Sequence, residues 1–366
     1  MKTAAAVSRD GAAFPQIEEL DIEAPQPGEV LVRIVATGIC HTDVRAGASG
    51  GVGTPRPVVL GHEGAGVVEE VGEGVTSLVP GDHVVLSGSS CGVCPSCRRN
   101  FPSYCSQMMP RNFGGQRMDG TSALSRDGQR IHGHFFGQSS FSQYAIASER
   151  TAVKVSRDVP LDILGPLGCG IITGTGAVIN SLKVAAGDTI AVFGTGGVGL
   201  SAIMAARLVG AARIIAIDVV PSRLALAKEL GATDTLNAKD GDPGKVIREL
   251  VPGGVTFSFN TTPVPDIFTQ ALDCLAMRGV AGFVTAPRGE WKPQMFPMLA
   301  GGRKLQGILG GDAAPQLFIP MLIDYYRQGR LPFDRMIRFY PFEQIAEAIQ
   351  DMEHGDTIKP VLRMTA

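Results

Sequence analysis

Hydrophobic positions in the first ~90 residues fall into short runs broken by glycine and proline. Val30-Leu-Val-Arg-Ile-Val-Ala36 alternates in part, and Val58-Val-Leu60, Gly66–Val71 and His83-Val-Val-Leu86 follow it. Pro-Gly and Gly-Glu-Gly turns lie between them, a spacing that predicts short strands in a barrel or sandwich. From about residue 170 the pattern changes to strand alternating with helix. Thr189-Ile-Ala-Val-Phe193 is a buried-strand run, followed by a small-residue helix from Leu200 to about Val209. A second strand, Arg213–Asp218, leads to a helix that opens at Pro221 and stops at Gly231. That βαβα order predicts a doubly wound parallel sheet. Past about Lys304 come two more helix-like segments and a short terminal strand, Lys359–Arg363, placed to rejoin the first domain. The Ile267–Met277 run also reads as helical and carries Cys274 as plain core.

Composition narrows the class. A chain of 366 residues, 44% hydrophobic and 19% charged, is long enough for two globular domains. Its net charge of -2, without long runs of one sign, argues against nucleic acid or an anionic membrane as partner. The apolar stretch at the N-terminus is too short for a signal peptide, and no run approaches the ~18 apolar residues of a membrane span. Of seven cysteines, four stand within fifteen residues, so metal thiolates in a reducing cytoplasm are expected rather than disulfides.

Three groups of residues carry chemistry. Cys91, Cys94, Cys97 and Cys105 have the spacing of a tetrathiolate metal site. Gly194-x-Gly196-Gly197-Val198-Gly199 follows a strand and opens a helix, and Asp218 ends the next strand. This is the context of a dinucleotide-binding loop, in which the acidic residue accepts from the adenosine ribose and favours NAD over NADP. Arg223, early in the following helix, is a further cofactor candidate. Lastly, Cys40-His-Thr-Asp43, His62 in Gly-His-Glu-Gly, and Cys169 in Gly-Cys-Gly are scattered residues of metal-ligand type.

Together, in this order, these motifs resemble the zinc-dependent medium-chain alcohol dehydrogenases over nearly the whole chain. The resemblance implies a GroES-like β-barrel catalytic domain with a zinc lobe and a Rossmann domain. The expected bounds are 1–170 with the lobe at about 88–133, then 171–305 for NAD binding, then a return to the catalytic domain over 306–366. It implies two zinc ions. Cys40, His62 and Cys169 would hold a catalytic one with a position left open, and Cys91, Cys94, Cys97 and Cys105 a closed structural one. Asp43 resembles the carboxylate that orients His62, and Glu63 the acidic residue behind the metal. Thr42 resembles the hydroxyl that takes the alcohol proton, and His41 a pyrophosphate contact. Thr173 and Val198 resemble residues that position the nicotinamide, and Lys359 a basic pyrophosphate contact.

The chain also departs from the family pattern. Where many relatives carry a relay histidine it has Arg45, which cannot act as a base, so water or His41 is left to finish the relay. Ser87 stands in place of a bulky aromatic and Ala286 in place of a larger aliphatic, with Phe135 and Phe136 as an aromatic wall. The stretches around Cys40, Cys169 and Phe135 are similar to the aryl-alcohol and geraniol dehydrogenase branch, which implies a primary aromatic or allylic alcohol as substrate. Open alternatives are a glutathione-dependent formaldehyde dehydrogenase, a broad-range alcohol dehydrogenase, and a non-enzymatic zinc or iron–sulfur module. The long segment between Cys105 and Phe135 resembles that of dimeric relatives and implies a homodimer, with a tetramer as the second choice.

Overall fold

The computed structural model describes residues 1–48 and 53–364. Two compact units are formed. The first comprises residues 1–169, 314–327 and 334–366, and the second residues 170–313 and 328–333. The return to the first unit therefore begins at Ala314 rather than near residue 306, because Lys304–Gly307 is still a strand of the second unit's sheet.

In the first unit, Glu29–Gly38 is the central strand, buried at Val30, Leu31, Val32 and Ile34 with Arg33 exposed between them. It pairs antiparallel with Glu63–Val71, Tyr144–Ser148 and Lys359–Arg363. The terminal strand thus meets residues 36–38, with Leu362 opposite Thr37. A second sheet contains Lys2–Ser8 and Gln16–Ile22, two strands that the opening pattern did not single out. It ends on a hairpin, Leu124–Arg126 with Gln129–Ile131. The stretch expected to belong to the inserted lobe as far as Gly133 is thus divided, because Leu124 and Ile131 are buried in the core of the unit.

In the second unit six parallel strands run in the order Asp234–Asn237, Arg213–Asp218, Thr189–Phe193, Val255–Asn260, Leu275–Phe283, Lys304–Gly307. This is the doubly wound order whose switch point lies beside the first strand. The Pro221–Leu230 helix has proline at its start and Gly231 as its cap, as the sequence predicts. The Ile267–Met277 run is not one helix. Its helix, Pro265–Asp273, ends at Cys274, and the apolar residues continue as the strand Leu275–Phe283, parallel to Val255–Asn260. Cys274 is fully buried, and burial pushes its thiol up to about 12.

Candidate active site

Cys40-His-Thr-Asp43 is the start of a helix. Cys40 is the extended N-cap residue and His41–Gly47 the helix, so Asp43 falls at its third position. From there the carboxylate reaches back, its Oδ2 accepting from the Cys40 backbone N–H at 3.0 Å, the reciprocal half of a capping box. Its other oxygen accepts from the Gly61 N–H at 3.1 Å and meets His62 Nδ1 at 2.7 Å. One buried carboxylate thus closes the helix end and fixes the imidazole, leaving Nε2 to point at the thiols. At the other end of the helix Arg56 donates to the carbonyls of Ala46, Gly47 and Ala48, where a cation is favoured.

His62 Nε2 lies 3.2 Å from Cys169 Sγ, and Cys40, His62, Glu63 and Cys169 each offer a donor atom within 4.8 Å of the others. Atoms ~2.0–2.3 Å from one tetrahedral ion stand roughly 3.3–3.8 Å apart, so two thiols and an oriented imidazole fit zinc here. The Cys40 thiol lies well below its ordinary range because its thiolate accepts a hydrogen bond from Cys169, whose own thiol is pushed up in turn. Thr42 Oγ1 is 3.8 Å from Cys40 Sγ. His41 and Arg45 are exposed on the same helix.

Glu63 is fully buried, and burial pushes its carboxyl up to about 7 against the opposing pull of Lys359. Lys359 departs from expectation. Its Nζ donates to both Glu63 oxygens, at 2.9 and 2.8 Å, and to the Ile39 carbonyl at 3.1 Å. All three ammonium protons are thus directed at protein acceptors in a buried setting. Sequence reasoning also missed Gln138, whose amide donates to the His62 carbonyl at 3.1 Å and accepts from the Gly64 N–H at 3.1 Å. No local pattern marks it.

The expected pocket residues divide. Phe136 is half-buried and lies over His62, with ring centroids 4.5 Å apart. Phe135 is fully buried in the core, edge-on to His62 and Phe113, so it is packing rather than pocket wall. Ser87 is also buried and donates its hydroxyl to the Thr151 carbonyl at 3.2 Å. Ala286 is exposed in the second unit.

The clustered cysteines form a separate knot. Their four sulfurs lie within 4.8 Å of one another, with Cys91 and Cys97 3.9 Å apart. Backbone N–H groups point at them: Cys91 to Cys105 Sγ at 3.2 Å and Cys94 to Cys91 Sγ at 3.3 Å. The N–H groups of Cys97 and Ser106 bring the Cys94 thiol down to about 5, as a thiolate ligand needs.

In the second unit the glycine loop has the form a dinucleotide needs. Gly194 has φ 89°, which glycine adopts freely. A Cβ on Gly199 would lie 1.8 Å from the Gly194 carbonyl oxygen, so helix and strand could not pack. A Cβ on Gly196, by contrast, would meet nothing within 4 Å, which leaves open space at the N-cap of the Gly197–Leu208 helix for a pyrophosphate. Gly174, which follows Thr173, packs on Val198: a Cβ on it would lie 2.1 Å from the Val198 carbonyl oxygen. Asp218 braces the loop, accepting from the Thr195 N–H and hydroxyl and from the N–H groups of Val219 and Val220. Arg223 is half-buried in the first turn of the next helix.

Comparison with known proteins agrees with this geometry. Residues 26–157 match the alcohol dehydrogenase GroES-like domain and residues 197–324 the zinc-binding dehydrogenase family. The chain is 47% identical to geraniol dehydrogenase from Castellaniella defragrans over 362 residues, covering 98% of this chain and 96% of the relative. It belongs to the zinc-dependent medium-chain alcohol dehydrogenases. Within the family, a benzyl alcohol dehydrogenase structure from Acinetobacter calcoaceticus is 44% identical with a TM-score of 0.96, each chain covered in full. An alcohol dehydrogenase zinc-binding domain protein from Burkholderia ambifaria is 50% identical with a TM-score of 0.98, again over both whole chains. The chain falls in the aryl-alcohol and geraniol branch, and its two-domain fold is that of the family.

Proposed function

We propose that the protein reversibly oxidises a primary aromatic or allylic alcohol, of the benzyl, cinnamyl or geranyl type, to the aldehyde. NAD takes the hydride and a proton is released. The observation that carries this reading is the convergence of Cys40, His62 and Cys169 behind a flat aromatic face, Phe136. Two relatives, a geraniol dehydrogenase and a benzyl alcohol dehydrogenase, support the substrate class.

Zinc held by Cys40, His62 and Cys169 would polarise the alcohol oxygen and lower its pKa. Asp43 keeps His62 in one tautomer, so Nε2 stays the ligating atom. Thr42, beside Cys40, takes the alcohol proton, and water or exposed His41 passes it on, since Arg45 has no acceptor. Phe136 gives a planar substrate an apolar surface. In the second unit, the loop from Gly194 to Gly199 would seat the pyrophosphate, and the Asp218 carboxylate would repel a 2′-phosphate. A second zinc on Cys91, Cys94, Cys97 and Cys105 would be structural, with no position left open. We read the assembly as a homodimer. Seven free cysteines fit a reducing cytoplasm, and among the described residues no helix is long and apolar enough to cross a membrane.

A panel of alcohols with NAD and NADP, with and without glutathione, tests the reading by the reduced nicotinamide formed. Benzyl, cinnamyl or geranyl alcohol should react with NAD without glutathione. Reaction confined to ethanol, or to the hydroxymethyl adduct of glutathione, would overturn it.

A further inference from the structure

The turn that presents Phe136 holds an unfavourable backbone. His134, Phe136 and Ser139 have φ of 56°, 52° and 56°, three left-handed residues other than glycine within six positions. Such strain persists only where surrounding contacts over-determine the conformation. Within the turn, the N–H groups of Gly137, Gln138 and Ser139 donate to the carbonyls of His134 and Phe135. The Phe136 ring also packs edge-on against Phe113 and Phe135, but apolar contacts of this kind set no register. Two side chains just past Phe136 tie the turn to the segment that carries His62. Ser139 Oγ donates to the Val59 carbonyl at 2.6 Å. Gln138 Nε2 donates to the His62 carbonyl and its Oε1 accepts from the Gly64 N–H, each at 3.1 Å.

The amide of Gln138 thus bonds two backbone groups of the His62 segment as a neighbouring strand would. The fit is close, since Gln138 is 1% exposed and a Cβ on Gly64 would lie 3.1 Å from its Oε1. His62 is thereby held twice, at its ring by Asp43 and at its carbonyl by Gln138. Two residues before Gln138, the Phe136 ring stacks on the same imidazole. One buried side chain therefore joins a candidate metal ligand to the aromatic face beside it. We propose that Gln138 is a positioning residue for substrate selection, which locks the Phe136 turn to His62 and so fixes where the aromatic wall stands for a flat alcohol. This rests on the proposed oxidation of aromatic or allylic alcohols, with Phe136 as the wall. Without the amide, the strained turn relaxes and the ring leaves its place over His62. A short aliphatic alcohol does not use that wall and is indifferent to its position.

The test is steady-state kinetics of the full-length zinc enzyme with NAD, on benzyl alcohol and on ethanol. Gln138→Met removes both hydrogen bonds at nearly constant side-chain length. Its KM for benzyl alcohol should rise by up to about tenfold, the scale of one aromatic contact, with kcat little changed. KM for ethanol should stay near that of the wild type. Adding Phe136→Leu to Gln138→Met should raise the benzyl alcohol KM no further than Phe136→Leu does alone, because the amide acts through that ring. A merely structural role would instead affect both alcohols and multiply with the Phe136 effect. Gln138→Ser, which leaves room for water to bond the His62 carbonyl and the Gly64 N–H, serves if the methionine variant does not fold, and should behave alike. An unchanged KM for benzyl alcohol, equal changes for the two alcohols, or multiplied effects in the double variant would overturn the proposal. The wild type separates the two readings. If it shows no preference for benzyl alcohol over ethanol, the proposed function fails and this inference falls with it; if the preference is there and the Gln138 variants keep it, only this inference fails.

Discussion

His62 and Phe136 lie face to face, with ring centroids 4.5 Å apart and planes inclined by 27°. Phe136 reaches this position through a left-handed backbone, φ 52°, inside a segment where His134, Gly137 and Ser139 also have positive φ. A bulky residue adopts that conformation only where its surroundings enforce it, and such strain collects at functional sites.

Replacing Phe136 by Leu should therefore act on flat substrates first. Aromatic contacts contribute about 0.5–1.5 kcal/mol beyond area, so KM for benzyl alcohol should rise up to about tenfold. KM for a short aliphatic alcohol should change little. Steady-state kinetics on both substrates would show it, and equal changes in the two would remove Phe136 from substrate recognition.

Asp43→Asn should weaken the candidate zinc site without removing a ligand. The carboxylate that orients His62 becomes a neutral amide, and zinc affinity should fall about 10–100-fold. Competition with a coloured chelator measures this directly. Affinity equal to wild type would mean that Cys40 and Cys169 hold the site without help from Asp43.

Cys97→Ser should cost the protein one bound zinc ion and destabilise the lobe first, with a fall in Tm on the order of 5 °C or more. Activity should then be lost in step with unfolding. A variant of unchanged Tm that is catalytically dead would exchange the roles of the two cysteine sites.

His134 should make stability depend on pH. Burial, helped by Arg117, brings its imidazole from 6.5 down to about 4, and its Nε2 accepts the Ala123 N–H, which only a neutral ring can do. Below pH 6.5 the unfolded chain takes up a proton that the folded chain refuses. Stability is thus complete above pH 6.5 and falls as pH drops towards about 4, by about 3 kcal/mol in all. Denaturant melts of wild type and His134→Asn across this range would show it, since asparagine tolerates the φ of 56° but does not titrate. Parallel pH profiles for the two proteins would refute the assignment.

Sequence by itself determined whatever is encoded within a short span. The four sulfurs within fifteen residues, the spacing of Gly194, Gly196 and Gly199 ahead of Asp218, and the box from Cys40 to Asp43 are each local geometry. Neighbouring residues there face the same ligand or close the same helix end. Short apolar runs likewise marked strands such as Thr189–Phe193 and Arg213–Asp218. It could not mark where a helical pattern passes into a strand, as at Cys274, because a short apolar run fits both periods.

Tertiary structure alone decided the rest. Which of two adjacent phenylalanines enters the core and which covers His62 depends on the sign of one backbone angle, not on residue type. Gln138 and Lys359 act across 76 and 296 positions, through contacts that exist only once distant strands and loops have packed. Lys359 shows the physical reason most plainly. A lysine near a chain end suggests a solvated cation, but the strand it opens pairs beside Gly38, and burial next to Glu63 makes it the counter-ion of a buried carboxylate.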